Sequence, residues 1–292
     1  MVTPTDEVEG TSGFPDIVKA ENVVIDRGLA DVISQSFGAT EQTFPSHRSI
    51  RKLRSAFKHA RTHHVSVLAA TGDTGATNWK TGMRGYYRFR VSSWPASDPL
   101  VTAVGGTQLH LDEQGDRTQP DNAWNDTNNP AVVGSPPVPA STGGGLSKVF
   151  SRPAYQASVG AIVHGSRGLP DISMSAACDG GVLIYISIPG GPSPGFYSVC
   201  GTSESTPLFA GVVAIADQVA GHSLGNVDPK LYALAAQPTG GIVDVVGGSN
   251  TVSFVQDGMR HTVRGFSAVS GYDLATGLGT VDAAQLVAAL TR

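Results

Sequence analysis

The stretch "VCGTSESTPLFAGVVAIA", residues 199–216, joins a Gly-Thr-Ser turn to a long apolar run. The apolar positions that recur at helical spacing are Leu208, Val212, Ile215 and Val219. A helix is therefore expected from Thr202, with Gly221 suited to end it. Ser203 would stand in the first turn, where N–H groups lack intrahelical partners and the helix dipole is positive. By itself the stretch leaves Ser203 open between a helix cap and a nucleophile.

The composition of the 292-residue chain favours a compact α/β protein with many tight turns. It holds 36 Gly and 18 Pro, and 15% of its residues are charged. The formal net charge of −4 gives no electrostatic footprint for nucleic acid. The one basic stretch, residues 48–61, has helical apolar spacing and reads as a solvated helix face. No apolar run reaches the roughly 18 residues of a membrane span.

A strand–helix–strand pattern precedes the opening stretch. Residues 29–37 and 64–70 read as buried strands, and residues 49–63 read as a helix between them. Short connections of this kind predict parallel pairing with a right-handed crossover. Ligands of such sheets bind beyond the carboxyl ends of the strands. Those ends carry residues 36–38 and 71–73.

The remaining pattern predicts one domain over residues 1–292. Further strands are expected at residues 100–111 and 170–176, and a closing helix at residues 281–290. No internal repeat interrupts this order. Cys178 and Cys200 have no metal-ligand spacing, and the sequence leaves open whether they pair or are two buried small residues.

Four motifs in consistent order resemble the sedolisin family, the serine-carboxyl peptidases of the subtilisin-like superfamily. "GTSESTP" resembles its nucleophile motif, and "SQSFGATE" resembles a strand end in which Phe37 takes the usual aromatic position. "AATGDTGAT" resembles its S-G-D-S-G loop, with Thr71 and Thr74 in place of the two serines. "SGYDLATGLGTVD" resembles its calcium segment, and the resemblance covers nearly the whole chain.

The resemblance implies a subtilisin-like α/β fold with a parallel central sheet flanked by helices on both faces. It implies a serine endopeptidase that cleaves peptide or protein substrates at acidic pH, with Ser203 as the nucleophile. Ser36, Phe37 and Gly38 would pair with extended substrate by strand addition. The family is typically secreted, which predicts an extracellular protein with a pro-segment outside this chain; we also expect a monomer.

Asp73 distinguishes the sedolisin resemblance from an ordinary subtilisin, in which the corresponding loop carries an Asn that donates to the oxyanion. A carboxylate cannot donate a hydrogen bond, whereas a protonated carboxylic acid can. The chemistry therefore requires Asp73 to be protonated at the working pH, which agrees with the acidic optimum that the resemblance implies.

The resemblance also implies one Ca²⁺ site, in a C-terminal segment of about residues 240–280. Calcium takes about six oxygen ligands from carboxylates and backbone carbonyls. The expected ligands are the carboxylates of Asp244 and Asp273 and the carbonyls of Val245, Val269 and Gly271. The glycine-rich segment "STGGGLS", residues 141–147, resembles one that either packs closely or lines the substrate cleft, and both readings remain open.

A serine nucleophile needs a base, and the family uses a Glu oriented by an Asp four residues later on one helix face. Asp112 and Asp116 have that spacing, but "DEQGD" reads as a hairpin turn. The other acidic candidates, with the wrong spacing or direction, are Glu7 with Glu9, Glu21 with Asp26, and Glu204. We therefore expect the Glu/Asp pair upstream of Met1. The alternative is a catalytically inactive, peptidase-like binding module.

Overall fold

The computed structural model describes residues 13–189, 191 and 193–292. The helices are α1 (Phe14–Asp26), α2 (His47–Lys52), α3 (Ser55–Thr62), α4 (Pro130–Val133), α5 (Gly160–Val163), α6 (Thr202–Ala220), α7 (Asp228–Leu234) and α8 (Ala283–Leu290). The strands are β1 (Val32–Gln35), β2 (Ala39–Thr40), β3 (Ser66–Ala70), β4 (Ser93–Trp94), β5 (Thr102–Gln108), β6 (Asn122–Ala123), β7 (Gly145–Ser151), β8 (Ser166–Leu169), β9 (Ile172–Ser175), β10 (Val182–Ile186), β11 (Gly195–Val199), β12 (Ile242–Val243), β13 (Val252–Gln256), β14 (Met259–Val263) and β15 (Thr280–Val281). Within these residues no helix is both long and apolar enough to cross a bilayer.

The central sheet contains the parallel strands β1, β3, β5 and β9. In register, β1 pairs with β3, β3 with β5 and β5 with β9, and the short β6 pairs antiparallel to the end of β5. The strand–helix–strand prediction is confirmed, and the carboxyl ends of β1 and β3 lie side by side. This arrangement is what places residues 36–38 next to residues 71–73.

Helices cover both faces of the sheet, as expected for a subtilisin-like fold. On one face, Val67 and Ala69 of β3 pack in a cluster with residues of α1 and α3. On the other face, Leu68 packs with residues of α6, including Phe209. Because Leu68 is fully buried, its replacement by Ala would cost about 2–5 kcal/mol in unfolding free energy.

The helix predicted over residues 49–63 is two helices, α2 and α3. A capping box between Ser46 and Ser49 begins α2, which ends before Leu53. Arg54 leaves the helical path and forms an ion pair with the buried Asp98, with 2.5 Å between Nε and Oδ2. The break therefore depends on a partner 44 residues away, which local spacing cannot reveal.

The apolar spacing in α6 predicted the helix correctly but only part of its buried face. The buried apolar side chains are Phe209, Val212, Val213 and Ala216. Of the positions in the sequence pattern, Leu208, Ile215 and Val219 are instead 37%, 52% and 61% exposed. The sheet selects which side of an almost uniformly apolar helix becomes buried.

Cys178 and Cys200 form a disulfide. Cys178 follows β9, and Cys200 directly precedes the Gly201 turn, so the bond joins the two ends of the antiparallel hairpin β10–β11. This resolves the alternative that the sequence left open. The bond also fixes the chain two residues before the start of α6.

Candidate active site

Three segments converge on one cleft of about 150 Å³. They are the chain after β1, the chain after β3 and the first turn of α6. The cleft is lined by Ser36, Phe37, Gly38, Ala70, Gly72, Asp73, Asn78, Ser93, Thr202 and Ser203. The structure therefore brings together every predicted catalytic and substrate-binding residue. Ser203 and Asp73, 130 positions apart in the chain, meet here.

Ser203 occupies the first turn of α6 without capping it. The N-cap residue is Gly201, whose φ of 92° favours glycine, and no side chain of the N-cap position satisfies the helix N–H groups. The Ser36 hydroxyl donates to the Ser203 carbonyl at 3.2 Å, joining the substrate-binding segment to the turn. The Ser203 side chain is thus partly exposed at the cleft instead of being used as a cap.

Asp73 supplies the hydrogen bonds at the helix start that a capping side chain would otherwise make. Its Oδ1 accepts from both the amide nitrogen and the hydroxyl of Thr202, each at 2.7 Å. Its Oδ2 points toward Gly201, where an added Cβ would come within 2.7 Å. Gly201 therefore allows the carboxyl group to approach the backbone beside Ser203.

Burial raises the pKa of Asp73 above its ordinary value, while the two hydrogen bonds from Thr202 act in the opposite direction. The net direction is upward, so the protonated form persists to higher pH than in an exposed aspartate. With Oδ1 used as an acceptor, Oδ2 is the oxygen left to carry a proton. The group can then donate into the cleft.

The glycine-rich segment packs behind the Asp73 loop. The Gly143 amide donates to the Gly72 carbonyl at 2.7 Å, and the Thr71 hydroxyl donates to the Gly143 carbonyl at 3.0 Å. A Cβ at Gly143 would lie 2.3 Å from the Thr71 carbonyl oxygen. Of the two roles left open for residues 141–147, the structure supports close packing, which holds the loop that carries Asp73.

Sequence reasoning assigned no role to Thr202, Asn78 or Ser93. The Thr202 hydroxyl accepts from the Gly72 amide at 3.1 Å, in addition to its contact with Asp73. The Asn78 side chain donates to the Ser93 hydroxyl at 3.1 Å across the cleft wall. Thr202 stands inside the quoted motif, but only its long-range partners give it a function.

No carboxylate other than Asp73 lines the cleft in the part of the chain that the structure describes. Asp112 and Asp116 lie in the predicted turn, where Asp112 Oδ1 accepts from the Asp116 amide at 2.9 Å. Glu21 is buried within α1, and Asp26 at its end pairs with His59. Glu7 and Glu9 lie outside the described residues.

Glu204 follows Ser203 but is buried away from the cleft. Its side chain is near Ser175 and Val182, and neither of its carboxylate oxygens has a hydrogen bond of normal geometry. Burial raises its pKa to about 7, with the Ser175 hydroxyl and the Val182 amide lowering it in part. The residue thus places a carboxyl group between α6 and the base of the β10–β11 hairpin.

The expected calcium segment forms two adjoining loops. The Gly271 amide donates to Asp244 Oδ2 at 2.9 Å, which brings the two loops together. Asp273 is buried, and its carboxylate accepts from the amides of Val269, Ala275 and Thr276. No group of three or more His, Cys, Asp or Glu side chains gathers as a metal site among the described residues. The expected ligands are all oxygen atoms, the ligand type that Ca²⁺ takes in proteins.

The sequence of the chain was compared with protein families and with known proteins. The model of the subtilase family matches residues 6–240. The chain is 32% identical over 268 residues to kumamolisin from Bacillus sp. (strain MN-32) and 30% identical over 286 residues to sedolisin from Pseudomonas sp. (strain 101). The chain belongs to the subtilase family, in its sedolisin branch. The sedolisin resemblance of the motifs is thereby confirmed.

A solved structure of Pseudomonas sedolisin, complexed with two molecules of pseudo-iodotyrostatin, shares the fold with a TM-score of 0.77 at 28% identity. The match covers 95% of this chain and 70% of that chain. The alignments cover 89% and 96% of this chain but only 42% of kumamolisin and 44% of sedolisin. The chain therefore spans less than half the length of the curated sedolisin relatives it matches.

Proposed function

We propose that the chain carries the nucleophile and the oxyanion-binding acid of a sedolisin-type serine-carboxyl endopeptidase that acts at acidic pH on peptide or protein substrates. The observation that supports this most directly is the shared cleft of Ser203 and Asp73, with Asp73 Oδ1 held by Thr202. The fixed Oδ1 leaves Oδ2 free for a transition-state interaction.

In the proposed reaction, Ser203 Oγ attacks the scissile carbonyl carbon, and its proton passes to a general base. The carbonyl oxygen becomes an oxyanion in the tetrahedral intermediate, and protonated Asp73 donates to it from Oδ2. The intermediate collapses to an acyl-enzyme as the peptide nitrogen leaves with a proton, and water then releases the acid product. The raised pKa of Asp73 supports an acidic working range.

The substrate backbone would lie against residues 36–38. These residues continue from β1 at the rim of the cleft, with Ser36, Phe37 and Gly38 all exposed. An extended peptide can add to such a segment by main-chain hydrogen bonds. Phe37, 39% exposed, would contact a substrate side chain.

The general base of this proposal comes from outside the chain, as a Glu oriented by an Asp. We place the base outside the chain because Asp73 is the only carboxylate that the described residues contribute to the cleft. The same observation supports the second candidate function, a catalytically inactive module that binds peptides in the cleft. The two differ in whether Ser203 can form a covalent bond.

Calcium is part of the proposal. Asp244 and Asp273, with the carbonyls of Val245, Val269 and Gly271, would hold one ion, whose charge would tie the two adjoining loops together. A pro-segment outside this chain, a monomeric state and secretion to the extracellular space complete the expectations.

A peptide aldehyde labelled with ¹³C at its carbonyl tests the proposed function. A working nucleophile and oxyanion site convert the aldehyde into a hemiacetal on Ser203, visible by NMR. We expect that signal at acidic pH for the chain, its loss in Ser203→Ala, and its weakening in Asp73→Ala. Binding of the aldehyde without any hemiacetal would favour the inactive module instead. Without a base, the isolated chain should show no peptide-bond cleavage at acidic pH.

A further inference from the structure

A groove of about 800 Å³ runs along β7, outside the candidate active site. Its two walls are residues 89–92 and the whole of β7, and it is completed by Gly165, Ser166 and Phe266. At about 3.3 Å per residue, the seven residues of β7 span about 20 Å. The groove therefore has the length of an extended peptide of about six residues, which is far longer than a single small ion.

A single segment of chain separates this groove from the active-site cleft. Ser93 of β4 lines the cleft, whereas Ser92, the residue before β4, lines the groove. Successive side chains of an extended chain point to opposite sides, so the two cavities lie back to back on this segment. The Ser92 hydroxyl donates to the Leu146 carbonyl of β7 at 3.2 Å, which joins the two walls of the groove. The groove is thus a second cavity and not an extension of the cleft.

The titratable side chains that line the groove are both cations. They are Arg90 and Lys148, one on each wall, and both are exposed. Arg88, two residues before Arg90, pairs with Asp257 at 2.6 Å. In the part of the chain that the structure describes, neither Arg90 nor Lys148 forms such an ion pair. Two cations without carboxylate partners in one concave surface favour an anionic ligand.

The carboxylate under β7 does not reach the groove. Glu41 is 3% exposed, and its oxygens accept from the Ser147 hydroxyl and from the Lys148 amide at 2.7 Å. The Ser147 hydroxyl in turn accepts from the amides of Val149 and Phe150. Glu41 therefore fixes the backbone that forms the floor of the groove, and its charge stays below the surface that a ligand would meet.

Phenylalanine rings position both cations. Lys148 Nζ lies 5.0 Å from the ring centroid of Phe89 on the opposite wall, and Arg90 Cζ lies 4.7 Å from the ring centroid of Phe266. A cation held over the face of a ring still has N–H groups available to donate to a ligand. Phe89 is 48% exposed, so an apolar surface lies directly beside the charge of Lys148. The groove thus presents fixed positive charges next to apolar faces.

The sequence around the groove supports the same ligand chemistry. All of the lining residues come from residues 74–97, 127–170 and 258–272, and none of the 24 Asp and Glu residues of the chain lies in those three stretches. The chain as a whole has a net charge of −4. The positive character is therefore a property of this groove and not of the whole surface.

We propose that the groove binds an extended peptide segment that carries Asp or Glu side chains beside apolar ones, at a site separate from the cleft of Ser203. The planar guanidinium of Arg90 matches a carboxylate with two parallel hydrogen bonds, and Lys148 supplies a second positive charge. Apolar side chains of the segment would lie on Phe89. The binding does not depend on the proposed function. Only its use as a second contact for a protein substrate rests on that function.

The test measures the fluorescence anisotropy of a labelled hexapeptide of alternating glutamate and leucine, with the Ser203→Ala chain to prevent cleavage. At pH 7 the glutamates are ionised, and we expect saturable binding. A glutamine–leucine peptide of the same length should bind about tenfold more weakly. Arg90→Gln should weaken binding of the glutamate peptide about tenfold. Arg84→Gln removes the same charge from an exposed position outside the groove and should change the Kd less than about twofold.

A pair of aromatic variants distinguishes the groove from the cleft. Phe89 is 48% exposed in the groove, and Phe37 is 39% exposed in the cleft. We expect Phe89→Ala to weaken binding of the glutamate peptide about threefold and Phe37→Ala to leave the Kd unchanged. A loss of binding in Phe37→Ala alone would place the peptide in the cleft and overturn the proposal.

Equal weakening by Arg90→Gln and Arg84→Gln would also overturn the proposal, because it would show attraction to the whole surface. Displacement of the peptide by free sulfate at equal ionic strength would assign the groove to a small anion instead of a peptide. Self-association of the chain that Lys148→Glu abolishes would assign the groove to a second copy. The proposed function is tested separately by the hemiacetal on Ser203, so either proposal can fail without the other.

Discussion

The Oδ1 atom of Asp73 lies 2.7 Å from both the amide nitrogen and the hydroxyl oxygen of Thr202, the residue before Ser203. This pair of hydrogen bonds ties the loop after β3 to the start of α6. It leaves Oδ2 as the oxygen beside the nucleophile. A single carboxyl group thereby serves as a structural acceptor and, in the proposed reaction, as a donor.

Thr202→Val tests this double role. Valine keeps the shape of the fully buried side chain but removes the hydroxyl that donates to Asp73 and accepts from Gly72. We expect the pKa of Asp73 to rise, because a hydrogen bond that lowers it is lost, and the unfolding free energy to fall by about 1–2 kcal/mol. NMR titration of the Asp73 carboxyl carbon and denaturant unfolding measure the two effects.

Thr206→Val is the matched control. The Thr206 hydroxyl is buried in the same helix and donates to the Thr202 carbonyl at 2.7 Å, without contacting Asp73. A similar loss of stability with an unchanged pKa of Asp73 is expected. If both variants shift that pKa equally, the hydroxyl of Thr202 has no specific role.

Glu204→Gln should weaken the pH dependence of stability. Because burial raises the pKa of Glu204 to about 7, this group's contribution is fully present below its ordinary value near 4.5 and is lost as the pH rises through about 7. Glutamine does not titrate. Between pH 5 and pH 8, the unfolding free energy of Glu204→Gln should therefore fall by about 1–3 kcal/mol less than that of the wild-type chain.

Denaturant unfolding across that pH range makes the measurement, with Glu113→Gln, in an exposed turn, as the control. Glu21 and Asp228 also have raised pKa values, of about 7 and about 8. Part of the fall of the unfolding free energy with pH should therefore remain in Glu204→Gln. If the unfolding free energy of Glu204→Gln falls with pH as steeply as that of the wild-type chain, Glu204 is solvated in solution.

Asp244→Asn isolates the proposed calcium site better than a change at Asp273. Asp273 accepts several hydrogen bonds within its own loop, so Asp273→Ala should destabilise the protein even in chelator. Asp244 is exposed, and an asparagine can still accept from the Gly271 amide. We expect calcium to raise the Tm of the wild-type chain but not of Asp244→Asn, with equal Tm values in chelator.

Thermal unfolding in calcium and in chelator measures the Tm of the wild-type chain and of Asp244→Asn under each condition. A Tm of the wild-type chain that does not respond to calcium would remove the metal from the proposal. Asp257→Asn, an exposed aspartate that pairs with Arg88 outside the segment, should retain the calcium response.

Removing the Cys178–Cys200 disulfide should destabilise the protein by about 3 kcal/mol, the loop-entropy expectation for a separation of 22 residues. The double variant Cys178→Ser, Cys200→Ser is compared with the wild type by denaturant unfolding. Faster amide exchange in the first turn of α6 is also expected, because Cys200 lies two residues before Thr202. Unchanged stability would show that the hairpin ends are held by other contacts.

Local signals in the sequence were sufficient for the elements that position the site. The buried runs of β1 and β3, with a helical pattern between them, predicted parallel pairing, since strand length and helical spacing are local properties. The motif around Ser203 predicted the start of α6 for the same reason. The resemblance then paired Ser203 with Asp73, and the structure brings them into one cleft.

Long-range contacts decided the rest. The partner of Thr202 is 129 residues away, and the sheet, not the helical period, selected the buried side of α6. The pairing of Cys178 with Cys200, the break before α3 and the use of Gly201 as the N-cap of α6 likewise depend on neighbours brought together by folding. The sequence by itself determined which chemical groups the protein has and which segments form helices and strands, because motifs and apolar spacing are properties of neighbouring residues. Only the tertiary structure decided which of those groups meet, because burial and hydrogen-bond partners are properties of the packed chain.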